Sequence, residues 1–178
     1  MKRALLSVSN KDKIVELAHF LIQKDYEIVS TGGTAKVLIE NNIPITPISN
    51  VTGNPEAFGG RMKTISFEVA SALLFRRDHK EDTEQAESLN IKPIDLVVCN
   101  LYPFKEVSKK TNEQSVLIEN IDIGGPNMIR AAAKNYKGVI VLTSPKQYAN
   151  FIERFDSFNE ADRYEMALEA FKLTAEYD

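Results

Sequence analysis

Four side chains in this sequence have the types and surroundings for proton transfer or charge stabilisation: Lys63, Tyr102, Asp122 and Lys134. Lys63 lies in Gly59-Gly60-Arg61-Met62-Lys63-Thr64, where flexible backbone precedes a guanidinium, an ammonium and a hydroxyl. Arg61 can grip an anion through paired hydrogen bonds, and Lys63 can serve as a point charge or a proton donor. Tyr102 lies in Asn100-Leu101-Tyr102-Pro103-Phe104. Its hydroxyl can orient a reacting group, and the Asn100 amide offers the donor and acceptor that read an amide or ring edge. Asp122 sits between Ile121 and Ile123, ahead of Gly124-Gly125-Pro126. Apolar neighbours shield a carboxylate and push its pKa up, as a general base requires. Lys134 follows on the helix that this loop opens. Three of them also have a plainer reading: a solvated basic turn for Lys63, a helix cap for Asp122, a solvated surface lysine for Lys134.

Two hydroxyl-rich segments could hold a phosphate. Ser7-Val8-Ser9-Asn10-Lys11 joins an apolar run to a helical pattern, so that Ser9 or Asn10 can cap the helix while its free N–H groups and Lys11 attract an anion. Ser30-Thr31-Gly32-Gly33-Thr34 repeats the arrangement, with two glycines permitting close backbone approach. It lacks the spacing of a Walker loop. An ordinary cap and a tight turn explain these segments taken singly; together they point to one phosphate pocket. Cys99 reads as a small core residue whose backbone lines that pocket.

The elements that must position these groups follow from periodicity. Arg3–Ser7, Tyr26–Ser30, Ile45–Ile48, Leu96–Cys99 and Val139–Leu142 read as buried strands. Ile14, Leu17, Ala18 and Leu21 form the stripe of an amphipathic helix, and further helices are expected at Ala35–Glu40, Phe67–Phe75, Gly125–Asn135, Pro145–Phe155 and Glu160–Tyr177. In the last of these, Tyr164, Ala167, Leu168, Phe171 and Ala175 are expected to share the packed face. Asn50–Gly60 reads as an ordered loop and Arg76–Glu84 as a solvated charged stretch. Strand–helix alternation predicts an α/β fold with a parallel sheet and right-handed crossovers, in one domain over residues 1–178. Ligands of such sheets bind beyond the carboxyl ends of the strands, where the polar clusters recur.

Composition narrows the function classes. The 178 residues carry 22 basic against 25 acidic side chains, which argues against a polybasic nucleic-acid surface. No apolar run approaches a membrane span. One cysteine and two distant histidines offer neither a disulfide nor a zinc cage, which fits a reducing cytoplasm and no metal. Glycine is scarce at 8 residues, and six of them form the pairs at 32–33, 59–60 and 124–125.

The motifs SVSNK, STGGT, GGRMKT, CNLYPF and IDIGGPNMIRAAAKN, in this order and spacing, resemble the IMP cyclohydrolase domain of the bifunctional AICAR formyltransferase/IMP cyclohydrolase of purine biosynthesis. The resemblance implies a methylglyoxal-synthase-like fold, three layers with a central, mainly parallel sheet flanked by helices, and dehydrative closure of FAICAR to IMP, without a cofactor. It implies catalytic roles for Lys63, Tyr102, Asp122 and Lys134. Phosphate and ribose contacts fall to Ser7, Ser9, Asn10, Lys11, Thr31, Gly32, Gly33 and Thr34. Base and carboxamide contacts fall to Arg61, Thr64, Cys99, Asn100, Ile123, Gly124 and Gly125. A homodimer is a further implication, with the nucleotide monophosphate as small-molecule partner. The pattern departs at Ile65–Ala72, where the family usually has Leu-His-Pro and a second histidine, so a non-catalytic nucleotide-binding module on the same fold is the alternative. A formyltransferase domain and its folate site are expected to be absent from this chain.

Overall fold

The structure is a computed structural model describing residues 1–178. In chain order, β1 (Lys2–Val8), α1 (Ile14–Gln23), β2 (Tyr26–Ser30), α2 (Gly32–Glu40) and β3 (Thr46–Pro47) form the first half of the sheet and its crossovers. Three helices follow, α3 (Ser49–Thr52), α4 (Phe67–Leu74) and α5 (Lys80–Ser88), before β4 (Leu96–Asn100). Next come α6 (Phe104–Lys110), α7 (Gln114–Glu119), α8 (Gly124–Lys134) and β5 (Ile140–Leu142). The helices α9 (Tyr148–Arg154) and α10 (Glu160–Tyr177) complete the chain.

The five strands are all parallel, in the order β3-β2-β1-β4-β5. Leu5 pairs in register with Val29 on one side and Val97 on the other, so β1 is central. Such strands are buried on both faces and need continuous apolar sequence rather than alternation. That is what Ala4-Leu5-Leu6 and Leu96-Val97-Val98 supply, all fully buried. Two apolar clusters of 17 residues each cover the two faces. One gathers Ile14, Leu17, Ala18 and Leu21 of α1 with Tyr148 and Phe151 of α9. The other gathers Val69, Ala72 and Leu73 of α4 with Met128, Ile129, Ala132 and Ala133 of α8 and Ala167 and Ala170 of α10. The parallel α/β sheet expected from strand–helix alternation is therefore present, in the three layers that the resemblance implies. No helix is long and apolar enough to cross a membrane.

Several local expectations are corrected. The 50–60 segment contains α3 and a short 3-10 turn at Phe58–Gly60, and β3 shrinks to two residues. The charged stretch after residue 76 is partly built in. Arg77 is half-buried and donates to the carbonyls of Ala72, Phe75 and Ile94, and Asn135 donates to those of Leu73 and Phe75. These donors satisfy carbonyls at the C-terminal end of α4 that the helix itself cannot. On α10 the packed face is Ala167, Ala170 and Thr174, while Tyr164, Leu168 and Phe171 are exposed. Small residues let α10 lie close to Ala132 and Ala133 of α8, and large ones would hold the two helices apart.

Candidate active site

The strand order reverses between β1 and β4, and the carboxyl ends of these neighbours are where a parallel sheet opens a crevice. Ser7 and Val8 end β1, the loop leaving it carries Ser9–Lys11, and Asn100 ends β4. Asn100 is committed here to architecture. Its Oδ1 accepts the backbone N–H groups of Ser9 and Asn10 at 2.7 and 2.8 Å, and its Nδ2 donates to the Asn10 carbonyl at 2.9 Å. These three bonds make the side chain a brace across the switch point. Thr34 is likewise engaged, accepting from Val8 N–H at 2.9 Å and donating to Val8 C=O at 3.1 Å. It fastens α2 to the end of β1.

The first turn of α2 is different. Thr31 is its N-cap, in extended conformation, and no side chain caps the helix. Gly32 takes φ 55°, a left-handed value that glycine adopts without strain. Two ammonium groups flank this turn. A methyl group placed on Gly33 would lie 3.6 Å from Lys11 Nζ, and one on Gly32 would lie 3.5 Å from Lys63 Nζ. Lys11 is held by the carbonyls of Val8 and Ser9 at 3.3 and 3.1 Å. Free helix-end N–H groups with two cations beside them make an anion site suited to a phosphate.

Lys63 reaches that turn because its own loop is tightly folded. Ala57 and Met62 pair as an isolated antiparallel bridge, and Gly60 at φ 90° turns the chain between them. A Cβ on Gly60 would stand 2.7 Å from Lys63 Cε. Next in sequence, Thr64 is buried and its Oγ1 would lie 2.9 Å from a Cβ on Gly124, the first residue of α8. Residues 63–64 thus touch the N-terminal ends of two helices, α2 and α8. Arg61 points elsewhere: it is exposed and pairs with Glu119 of α7.

Asp122 sits immediately before α8. Its carboxylate accepts the Gly125 N–H at 2.8 Å and a further backbone hydrogen bond from Tyr102. Burial is the largest influence and raises its pKa above the usual carboxylate value, while the two backbone bonds pull the other way. Gly125 permits this contact, since a Cβ there would stand 2.7 Å from both Asp122 Oδ2 and Leu101 Cδ2. Cys99 is buried in the core, and burial, then the nearby Asp122 charge, push its thiol pKa up, so it stays a neutral thiol. Tyr102 is half exposed beside Asp122, and Ile123 is exposed at the entry to α8.

Two participants were not evident in the sequence. Tyr177, at the end of α10, accepts the Asp122 backbone N–H at 2.9 Å and donates to the Asn120 carbonyl at 3.3 Å, anchoring the Asp122 loop from 55 residues away. Glu56 accepts the Thr31 hydroxyl at 2.8 Å and stands 3.6 Å from Lys63 Nζ. Only a structure pairs residues so distant in sequence. Lys134 is exposed in the last turn of α8, ten residues beyond Gly124, and a straight helix puts about 15 Å between these two backbone positions.

Comparisons with known proteins agree with this architecture. The MGS-like domain family matches residues 13–127, and the family described as AICARFT/IMPCHase bienzyme matches residues 132–178. The "Bifunctional purine biosynthesis protein PurH" of Petrotoga mobilis is 47% identical over 182 residues, covering 100% of this chain and 36% of the relative. That of Thermoanaerobacter sp. (strain X514) is 48% identical over 181 residues, covering 99% and 36%. The chain thus spans about a third of the length of these curated relatives. A solved structure, "Crystal structure of ForH", superposes with a TM-score of 0.87 at 29% identity, over 99% of this chain and 95% of that one. A parallel sheet ringed at its carboxyl edge by glycine-hinged loops, matched by profile over most of its length, makes this chain a member of the MGS-like domain family.

Proposed function

We propose that the domain is an IMP cyclohydrolase, closing FAICAR to IMP with loss of water. The observation that carries the reading is the Lys63–Thr64 segment, which lies against Gly32 of the anion-binding turn and against Gly124 beside Asp122. A nucleotide whose phosphate rests on the first turn of α2 would present its base to the far side of that segment. The identity to PurH relatives supports the same substrate class.

In this reading Lys11 and the α2 backbone hold the phosphate. Asp122, favoured towards protonation by burial, accepts a proton from the carboxamide nitrogen as that nitrogen attacks the formyl carbon. Lys63 and Tyr102 stabilise the oxygen that gains negative charge, in a site partly screened from water. That oxygen leaves as water as its bond to carbon breaks, carrying the proton that Asp122 took from the carboxamide nitrogen and one released by the formamido nitrogen, which forms the C=N bond of the closed ring. Holding the two arms of one substrate together supplies much of the acceleration, and no step calls for a metal or redox cofactor.

The test is turnover of FAICAR by the purified chain, followed by the absorbance of IMP. Turnover supports the reading, and its absence in folded protein contradicts it. The changed Ile65–Ala72 segment favours a second reading as a nucleotide-binding module. There Ser66 caps α4 by accepting the Val69 N–H at 3.1 Å, and Val69 and Ala72 are buried. Calorimetry showing tight IMP binding without turnover would select that module.

A further inference from the structure

Lys63 is the mobile cation of the site: four rotatable bonds carry its ammonium, and rotamer freedom must be removed before it can act as a fixed charge. The Gly60 backbone packs at its Cε and the first turn of α2, at Gly32, lies beside its Nζ. Its only charged contact is Glu56, whose Oε2 lies 3.6 Å away. Glu56 is itself anchored, because its Oε1 accepts the Thr31 hydroxyl at 2.8 Å. Thr31 is buried and opens α2. A chain of contacts therefore runs from the N-cap of α2 through the carboxylate to the ammonium.

We infer that Glu56 is a positioning residue, tethering the Lys63 ammonium between the first turn of α2 and the base end of the site. The inference rests on the cyclohydrolase reading for its effect on turnover, but not for its effect on Lys63 itself. Both side chains are partly exposed, at 28% for Lys63 and 39% for Glu56, so the tether acts by orientation more than by raw Coulomb energy. Its position also separates two ways a carboxylate could act here. A carboxylate that competed with the substrate phosphate for Thr31 would weaken binding. One that orients Lys63 instead changes the chemical step and leaves binding nearly untouched.

Glu56→Gln distinguishes them, because the amide oxygen can still accept the Thr31 hydroxyl while the charge is lost. Turnover number is expected to fall about tenfold with KM changed less than about threefold, a loss typical of a misplaced catalytic group. Glu56→Asp, which restores the charge on a shorter arm, is expected to recover part of the loss. Lys63 acylation by an N-hydroxysuccinimide acetate, mapped by mass spectrometry, reads the tether directly and needs no turnover. Its rate relative to other lysines is expected to rise about threefold in Glu56→Gln, as an exposed ion pair of ordinary strength allows. Unchanged acylation overturns the proposal. So does a variant that binds IMP more tightly with turnover intact, which would make Glu56 a competitor for the phosphate. If the wild type lacks FAICAR turnover, the cyclohydrolase reading fails alone, and the acylation result still decides the tether.

Discussion

The two edges of the sheet use charge in opposite ways. At the amino edge Arg3 of β1 is nearly buried, and its Nε and Nη2 both donate to Glu27 Oε2, at 3.1 and 3.0 Å. Glu27 Oε1 accepts the Thr46 hydroxyl at 2.9 Å, and Asp95 accepts the Arg3 backbone N–H at 2.8 Å. A cavity of about 330 Å³ opens there, lined by Arg3, Glu27, Thr46, Asn50, Glu68 and Lys92 among others. At the carboxyl edge, Lys11 meets only carbonyls, Lys63 has a longer ionic contact, and the N-terminal turn of α2 has no side-chain cap. This cavity is thus not the better site. Its guanidinium and carboxylate satisfy each other, so a ligand would have to displace a good ion pair. The carboxyl edge keeps cations and N–H groups in reserve, and it is held open by Asn100, Thr34 and Tyr177, which serve as braces.

That contrast can be broken by exchanging the readouts. The largest effects belong to the carboxyl edge: Lys63→Ala and Asp122→Asn are each expected to lower turnover about 100-fold or more, as loss of a stabilising cation or a base does, with thermal unfolding little changed. Steady-state kinetics beside a melting curve checks both. The amino edge should behave in reverse. Arg3→Met leaves Glu27 without its partner and is expected to cost about 2 kcal/mol of stability, reduced from the value for a fully buried pair because Glu27 retains some solvent. Denaturant titration measures this, and IMP affinity should not move. If Arg3→Met abolished IMP binding while sparing stability, the assignment of the two edges would be reversed.

Between these lies Tyr177→Phe. Two modest hydrogen bonds to the Asp122 loop are lost, which is expected to cost about 1 kcal/mol in unfolding free energy. Because the loop carries Asp122, turnover should fall by a few-fold with KM less affected, unlike a purely structural change.

The smallest effects come from pH, and the two edges differ in sign. Burial alone would raise the Glu27 pKa, but hydrogen bonds from Thr46 and Arg3 outweigh it, and the net direction is down. A depressed carboxylate contributes stability that is present above its unfolded value and is lost as pH falls through its folded value. Melting temperature should therefore drop on acidification below the ordinary carboxylate range, and Glu27→Gln should flatten that drop. Asp122 is shifted upward by burial. As a base it works only when ionised, so turnover should decline with falling pH at a value above that of a free aspartate. A pH–rate profile without that limb would remove Asp122 from the proton transfer.

Much of the sheet could be read from sequence because its strands are buried on both faces, and continuous runs such as Leu96-Val97-Val98 have few other uses. The helix face of α1 was equally plain, since Ile14, Leu17, Ala18 and Leu21 pack as their spacing requires. The packed face of α10 was not. A seam of alanines and a threonine carries a weak apolar signal, and the stronger signal of Tyr164, Leu168 and Phe171 lies outside. The charged helix α5 escaped for a related reason, with Ala86 its one buried residue. At the site, motifs point to loops but not to the hydrogen bonds that each side chain makes. Asn100 and Thr34 brace the end of β1 from inside the fold, which their motifs do not foretell. Glu56 and Tyr177 act across 25 and 55 residues of sequence, and local pattern holds no trace of such contacts.

The most direct test is FAICAR turnover measured side by side for the wild-type chain and Lys63→Ala, with both shown to be folded. The account predicts IMP formation by the wild type and a loss of about 100-fold or more in the variant. A folded wild type that forms no IMP, or a variant that forms it at the wild-type rate, would contradict the assignment of ring closure to the carboxyl edge.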